Sequence, residues 1–353
     1  ITKSNLHGIY TENVAINFKE MIYRKDSILF DAQKAFQSKL KANGIHTITG
    51  FAQLLCSGTV NLISEELKSE TQINAPHIVL ATDSEPISIS CAPIDNQFIL
   101  DSTSALNFEI IPKTVAILGA GIIGLQIAGI WNRLGSKVII LEAQETFLNV
   151  TDYQISSLSY QIFVNQGLEI LLGTRVISTK TLNKKVIVEY QDMEGTHAIK
   201  VDQLIVASGR RPCSEGLAAP EADLLIDEDG FIPTNDLYRT NLPGIYAIGD
   251  LTMHGPMLSH KGIAEGHLLA ELIAGNTGGA INYRTIPNII YTEPEIAWVG
   301  QTEQALKAMG EPINTAIYHL ENNLRSKAFG KTSGIIKIIT QAKTDEILGV
   351  HAL

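Results

Sequence analysis

Apolar residues recur every three or four positions between Ile28 and Asn43, at Leu29, Ala32, Phe36 and Leu40, and Gly44 follows. That spacing predicts one amphipathic helix with a glycine stop. Beyond it the period shortens. HTITGFAQL and HIVLATDS read as strands, the second an unbroken apolar run ending in small polar residues, as a buried strand entering a loop does. The intervening SEELKSETQINAP is polar and turn-like.

A second block opens at Lys113. TVAILGAGIIGLQIAGIWNRLGSKVIILEAQ reads as strand, tight turn, helix and a second buried strand from Lys137 to Leu141, which is a βαβ unit. LEILLGTRVIS, KVIVEYQD and LIVASGRRP continue the block as strands, and near Pro233 the pattern shifts to DLYRTNLPGIYAIGD, an apolar strand ending at Gly249 and Asp250. A helix is expected from about Lys261 to Ala274, with Ile263, Leu268, Leu269, Leu272 and Ile273 apolar and Gly275 as its stop. The rest alternates strand-like runs (NIIYTEPEIAWVG, GIIKIIT, EILGVHAL) with one helix from Glu303 to Met309, and no repeat of solenoid period occurs.

Composition narrows the function classes. The 353 residues are 45% hydrophobic and 18% charged, a folded α/β composition long enough for two or three domains. A net charge of -10 repels phosphate backbones and argues against a nucleic-acid binder. Cys56, Cys91 and Cys213 are 35 and 122 residues apart, with neither metal-ligand nor redox-pair spacing, so they read as buried or incidental thiols of a reducing compartment, and no metal site is expected. The chain opens on Ile1 without a signal-peptide pattern and stops at Leu353 directly after a strand-like run, so both ends read as cut from something longer.

The strongest chemical signal is GAGIIG. Gly119 permits the tight turn, Gly121 lets a pyrophosphate approach the backbone, and Gly124 permits close packing of helix on strand. The helix start offers free N–H groups and a positive dipole end to phosphates. Glu142 ends the next strand 18 residues after Gly124, placed to accept hydrogen bonds from both hydroxyls of an adenosine ribose and to repel a 2'-phosphate, which favours NAD over NADP. Two blander readings compete. Thr114 to Asn132 is 19 uncharged residues, near the length of a membrane span, but glycines at 119, 121, 124 and 129 would make a poor lipid-facing helix. The other is a glycine-rich packing turn with no ligand. The second signal is Gly249-Asp250, a carboxylate at the end of a buried strand, where α/β sheets bind ligands; an ordinary turn aspartate is the competing reading.

The ordered series DSTSALNFEIIPKTVAILGAGIIGLQIAGIWNRLGSKVIILE, VASGRRP, TNLPGIYAIGD, PMLSHKGIAEGHLLAELIAG, IPNIIYTEPEIAWVGQTE and GIIKIITQAKTDEILGVH closely resembles the dihydrolipoamide dehydrogenases, a branch of the flavin-dependent pyridine nucleotide-disulfide oxidoreductases. PMLSHK with YTEPEIAWVG points to this branch rather than to the glutathione, mercuric ion or transhydrogenase relatives. The resemblance implies an α/β architecture, a Rossmann-like NAD domain inserted in a partial FAD-binding domain and followed by a partial α+β dimerisation domain. The segments would be 1–112 and 233–284 for FAD, 113–232 for NAD and 285–353 for the interface. It also implies FAD and NAD as cofactors, lipoyl domains of a 2-oxo acid dehydrogenase complex as partners, a homodimer, no membrane or nucleic-acid partner, and a bacterial cytoplasm or mitochondrial matrix as the location.

By resemblance, Gly119, Ala120, Gly121, Ile122, Ile123, Gly124, Gln126 and Glu142 would hold NAD, helped by Val176 and by Gly209. Asp250 would bind the ribitol and pyrophosphate region of FAD, Met257, Leu258, Ser259 and His260 would line the flavin, and Gly50 with Thr82, Asp83 and Ser84 would contact its other side. The family reaction carries electrons from dihydrolipoamide through a cysteine pair and FAD to NAD. This sequence holds one GxGxxG where the pattern needs two, no two cysteines four residues apart and no His-Pro segment, so no catalytic residue is expected in the chain and by itself it is expected not to oxidise thiols. Three departures stand inside the matching part: Gln126 replaces a glutamate beside the nicotinamide, Asp83 replaces the glycine of an ATGS loop, and Ser259 replaces an alanine. An aspartate at a position needing positive φ is costly, and its carboxylate is unfavourable near phosphates. The alternative reading is a non-catalytic nucleotide-binding or interaction protein derived from the family, or another family enzyme such as a transhydrogenase or mercuric reductase relative. Arg210 and Arg211 read either as phosphate-attracting or as a solvated turn, and Cys213 as a loop thiol.

Overall fold

The computed structural model describes residues 7–64, 69–108, 110–276 and 278–353. They form two compact units, one made of 1–24, 87–209 and 287–353, the other of 25–86 and 210–286.

The first unit is built on a five-stranded parallel sheet in the order Ile99–Leu100, Gln203–Val206, Thr114–Leu118, Lys137–Leu141 and Glu169–Leu171. Val115, Ala116 and Ile117 are buried without exception, and so are Val138 to Leu141, as strands covered on both faces must be. The helices Ile122–Arg133 and Tyr153–Asn165 belong to this layer, and a three-stranded antiparallel sheet, Arg175–Leu182, Lys185–Asp192 and Gly195–Val201, adds a second apolar cluster through Val186, Val188 and Tyr190. The carboxyl-terminal part contributes a five-stranded antiparallel sheet ordered Asn288–Ile290, Ile296–Gly300, Ile347–Ala352, Ile335–Gln341, Ile313–His319. It is tied to the helix start at Tyr153 by a buried ion pair: both oxygens of Asp152 accept from Lys337 Nζ at 2.8 Å.

The second unit holds the antiparallel sheet Phe51–Cys56, Thr59–Ser64 and Ser69–Asn74, the parallel pair Ile78–Leu80 with Ile245–Ala247, the antiparallel pair Ser84–Pro86 with Arg210–Pro212, and the helix Ser259–Ile273. Leu54, Leu80, Ile232, Ile245, Ala247 and Leu251 form its core.

Several expectations are corrected in detail. The turn-like SEELKSETQINAP carries the strand Ser69–Asn74, while 65–68 lie outside the described residues. The helix expected over 28–43 runs from Phe18 to Ala42 and buries none of its residues; Leu29 and Phe36 are 60% and 62% exposed, so the apolar face is uncovered among the described residues. Separately, by contact the chain changes between its two units at 86/87 and 209/210, beside the domain bounds of 112/113 and 232/233 expected from the sequence. The contacts follow strand pairing: Ile99–Leu100 joins the parallel sheet beside Gln203–Val206, and Arg210–Pro212 pairs with Ser84–Pro86. Among the described residues no helix is long and apolar enough to cross a membrane; the uncharged run from Thr114 is a strand, a turn and the 12-residue helix Ile122–Arg133.

Candidate functional site

In the first unit the glycine turn sits between the strand Thr114–Leu118 and the helix Ile122–Arg133, at the carboxyl end of the parallel sheet. Each glycine has a separate reason. Gly119 has φ 106°, and a Cβ there would lie 2.6 Å from the Ala207 carbonyl oxygen. A Cβ on Gly124 would lie 2.0 Å from the Gly119 carbonyl oxygen, so the helix touches the turn backbone to backbone. Gly121 is different: nothing lies within 4 Å of a Cβ there. It is the N-cap of the helix and offers no side-chain cap, and no acidic residue stands in the first turn, so the first amides face open space with the positive end of the helix dipole behind them. That cradle fits a pyrophosphate.

Glu142 closes the site. Its Oε2 accepts from the Ala120 N–H at 2.6 Å and its Oε1 from the Gln144 N–H at 2.8 Å, so the carboxylate is oriented while each oxygen keeps a further lone pair. Ile122, Ile123 and Gln126 are half-buried on the helix. Val176 is buried in the second apolar cluster, so its side chain serves packing. Gly209 has φ 134° and accepts from Ile87 N–H at 3.1 Å, which makes it a turn glycine.

In the second unit Asp250 follows the parallel strand Ile245–Ala247. Its Oδ2 accepts from Ser84 Oγ at 2.5 Å, and Ser84 Oγ accepts from Arg210 Nε at 2.7 Å, while Arg210 Nη2 also bonds the Ser84 carbonyl. Asp83 adopts φ 67°, the left-handed geometry the sequence anticipated, and its Oδ1 accepts from the Ser84 N–H at 2.7 Å. Burial pushes the Asp250 carboxyl above its ordinary range; the Ser84 hydrogen bond opposes this, and the Asp83 carboxylate adds to it. Beside Gly249, φ 69°, nothing lies within 4 Å of a Cβ, so space for a ligand adjoins the turn.

The remaining expected contacts divide. Met257 and Leu258 are half-buried and Ser259 and His260 are exposed, all at the start of the helix Ser259–Ile273. Thr82 has its hydroxyl committed to the Cys213 carbonyl at 2.7 Å. Gly50 is explained by packing, because a Cβ would lie 2.5 Å from the Ile63 carbonyl oxygen. Arg210 is part of the Asp250 cluster, whereas Arg211 pairs with Glu85 on the surface. Cys56, Cys91 and Cys213 are free thiols, and burial, with Glu85 and Asp83, pushes the Cys213 thiol up, so it is no activated thiolate. No cluster of metal-binding side chains exists among the described residues.

Sequence reasoning missed Lys261 and Glu265. Both are fully buried on the helix Ser259–Ile273; Lys261 Nζ donates to the Gly249 carbonyl at 2.8 Å, and Glu265 Oε2 accepts from the Gly249 N–H at 2.6 Å. Burial pulls the Lys261 ammonium below its ordinary range, against the pull of Glu265. The i, i+4 spacing of opposite charges was the available signal.

Comparison with known proteins gives the family. Residues 9–266 match the pyridine nucleotide-disulphide oxidoreductase model and residues 286–353 the dimerisation domain of the same family. The chain is 36% identical over 346 residues to the dihydrolipoyl dehydrogenase of Cupriavidus necator, covering 98% of itself and 72% of that protein. It is 31% identical over 349 residues to leghemoglobin reductase of Vigna unguiculata, covering 66% of that protein, so it spans roughly two thirds to three quarters of such relatives. Among solved structures it superposes on the HOCl-induced flavoprotein disulfide reductase RclA of Escherichia coli with a TM-score of 0.86 at 25% identity, covering 96% of this chain and 76% of that one. LpdA of Mycobacterium tuberculosis shares the fold, with a TM-score of 0.91 at 20% identity over 99% of this chain and 76% of that one. The match of both family models along nearly the whole chain, with relatives above 30% identity, places it in the pyridine nucleotide-disulphide oxidoreductase family, flavoproteins that work with FAD and NAD.

Proposed function

We propose that the chain supplies the nucleotide-handling part of an NAD-linked dihydrolipoyl dehydrogenase, which converts dihydrolipoamide and NAD⁺ to lipoamide, NADH and a proton. The observation that carries this reading is the glycine turn with its uncapped helix start and the oriented Glu142 carboxylate. Gly119 to Gly124 hold the NAD pyrophosphate on backbone N–H groups, and Glu142 accepts from the adenosine ribose hydroxyls and excludes a 2'-phosphate. Ile122, Ile123, Gln126, Val176 and Gly209 complete the NAD surface. Asp250, oriented by Ser84, binds the ribitol side of FAD, with Thr82, Asp83 and Gly50 in the neighbouring loops and Met257, Leu258, Ser259 and His260 at the helix start. When bound, the flavin passes electrons between thiols and nicotinamide. None of Cys56, Cys91 and Cys213 has a partner thiol among the described residues, so the thiol step falls to residues other than these three.

The assignment of FAD binding goes to the unit of 25–86 and 210–286, and of NAD binding to the parallel-sheet part of 87–209. The segment from 287 onward forms the contact of a homodimer, the partners are lipoyl domains of a 2-oxo acid dehydrogenase complex, and the compartment is a bacterial cytoplasm or a mitochondrial matrix. The test is calorimetric titration with NAD and NADP, followed by dihydrolipoamide-dependent NAD reduction by the intact polypeptide. NAD binding with NADP excluded, together with turnover, is the expected result. Absence of NAD binding refutes the site. NAD binding without turnover favours a non-catalytic nucleotide-binding protein, for which the Gln126 and Asp83 departures speak.

A further inference from the structure

The turn that carries Asp250 is gripped from behind by a buried ion pair. Lys261 and Glu265 lie one helical turn apart on Ser259–Ile273, and both are 0% exposed. Residues of these types are buried completely only when their polar atoms are committed. Here they are. Lys261 Nζ donates to the carbonyls of Gly249, at 2.8 Å, and His254, at 2.9 Å. Glu265 Oε2 accepts from the Gly249 N–H at 2.6 Å, and Oε1 accepts from the Tyr283 hydroxyl at 2.8 Å while facing Lys261 Nζ at 3.8 Å. Tyr283 in turn meets the Tyr238 hydroxyl at 3.2 Å.

One residue, Gly249, thus gives its N–H to one member of the pair and its carbonyl to the other. A residue held at both polar groups by a single rigid helix has little freedom to rotate, and the side chain that follows it is aimed accordingly. The helix also comes close enough that a Cβ on Gly262 would meet Gly249 Cα at 3.4 Å. Stability alone is a weak reason for such a pair, since apolar residues of similar volume usually hold a helix on a sheet as well as a buried ion pair does. What apolar residues lack is a donor and an acceptor spaced to fix one peptide turn.

We propose that Lys261 and Glu265 are positioning residues for the flavin cofactor, acting through Gly249 to hold the Asp250 carboxylate in the geometry that receives the FAD ribitol. The inference rests on the reading that Asp250 binds FAD, and it assigns to the pair a role in cofactor affinity that packing would not give it.

The test is a double-mutant cycle read by FAD affinity. FAD is titrated onto the apoprotein of the intact polypeptide, followed by flavin fluorescence, for wild type, Asp250→Ala, Glu265→Gln and the combination, with near-ultraviolet circular dichroism checking the fold. Gln at 265 keeps the shape but puts an amide NH₂ against the Lys261 ammonium or one of the two donors. Glu265→Gln is expected to weaken FAD binding about tenfold when Asp250 is present, and less than twofold in the Asp250→Ala background. An equal factor in both backgrounds means a merely structural residue and overturns the proposal, as does no change in either. If wild type and Asp250→Ala bind FAD equally, or wild type binds none, the reading of Asp250 falls instead. Should Glu265→Gln not fold, Tyr283→Phe, which removes only the hydroxyl held by Glu265, enters the same cycle: a smaller loss that vanishes in the Asp250→Ala background supports the proposal, and an equal loss in both overturns it.

Discussion

Replacing Glu142 with alanine removes two hydrogen bonds whose consequences separate. The Oε1 bond serves the exposed Gln144 N–H, which water will satisfy at almost no loss. The Oε2 bond serves Ala120, 3% exposed, whose N–H loses its acceptor. A buried donor left unsatisfied costs about 1–3 kcal/mol, and for a domain of this size that lowers the melting temperature by roughly 2–4 °C per kcal/mol. NAD binding loses a charged acceptor for the ribose hydroxyls, about 1–3 kcal/mol, or roughly 5- to 150-fold in Kd. The two losses are told apart by Glu142→Gln, which keeps one carbonyl acceptor for Ala120 and gives up the charge. Calorimetric titration with NAD and with NADP, beside thermal unfolding, reads both. Affinity for NAD should fall in the order wild type, Gln, Ala, and the discrimination against NADP should shrink in both variants. An unchanged NAD affinity in Glu142→Ala, with the melting temperature lowered, would make Glu142 a structural support of the turn and remove it from the ligand site.

Gly124→Ala should abolish the close approach of helix and turn, since the new Cβ meets the Gly119 carbonyl oxygen at 2.0 Å and something must move by more than an ångström; loss of at least tenfold in NAD affinity is expected in the same titration, and full affinity would show that the turn is not the cradle. Lys337→Met leaves the fully buried Asp152 without its cation and should destabilise the chain by about 3–5 kcal/mol in urea unfolding, with Asp152→Asn in the same chain recovering much of it. Burial holds the His351 imidazole below its ordinary value, and Lys337 opposes protonation further. Below about pH 6.5 the unfolded chain therefore takes up a proton the folded chain refuses, so stability drops as pH falls through that range; His351→Gln should flatten the slope of melting temperature against pH between about 6.5 and 5. For Asp250 the sign is the reverse: its carboxyl is held high, so the folded chain keeps a proton that the unfolded chain releases, and stability falls as pH rises above the ordinary carboxylate value. Asp250→Asn should become progressively more stable than wild type above about pH 4, and a difference independent of pH counts against the strained carboxylate.

How far the sequence could be read depended on whether a residue's burial follows its polarity. Lys137–Leu141 and Lys185–Asp192 were read to the residue because their apolar positions are the buried ones. The helix Tyr153–Asn165 escaped because its buried face carries Ser156 and Ser159, whose hydroxyls donate to the Phe147 and Ser156 carbonyls. Serine at a core position interrupts the apolar period without exposing the helix. Ile313–His319 escaped for the opposite reason: it is an edge strand with hardly any burial, so nothing enforced alternation. Ile99–Leu100 is two residues long, too short for any period, yet it pairs into the parallel sheet beside Gln203–Val206. The glycine turn was readable because positive φ at Gly119 and backbone contact at Gly124 demand glycine. Lys261 and Glu265 were not, since their shared partner Gly249 stands 12 and 16 residues away and charges on a helix normally face water.

Asp83 tests whether the second site can still receive a phosphate. Its left-handed backbone would suit glycine without strain, and the aspartate compensates by taking the Ser84 N–H on its own carboxylate. Ser84 Oγ, itself 3.4 Å from Asp83 Oδ1, links Arg210 to Asp250. The consequence is electrostatic. Arg210 is committed to the Ser84 hydroxyl and carbonyl, and Lys261 to two backbone carbonyls and Glu265, so neither cation near Asp250 is free to meet an incoming anion. Two carboxylates, Asp83 and Asp250, already interact closely enough to disfavour a shared charge. A cofactor phosphate arriving here must be held by backbone N–H groups, and the carboxylate of Asp250 is then suited to hydroxyls, which donate to it, and unsuited to phosphate oxygens, which cannot. The same division is proposed for the first site, where the open amides at Gly121 would take phosphate and Glu142 the ribose hydroxyls. On that proposal the acid of each unit selects for hydroxyl donors and the backbone for anions, so removing the acid should change selectivity more than removing any cation would.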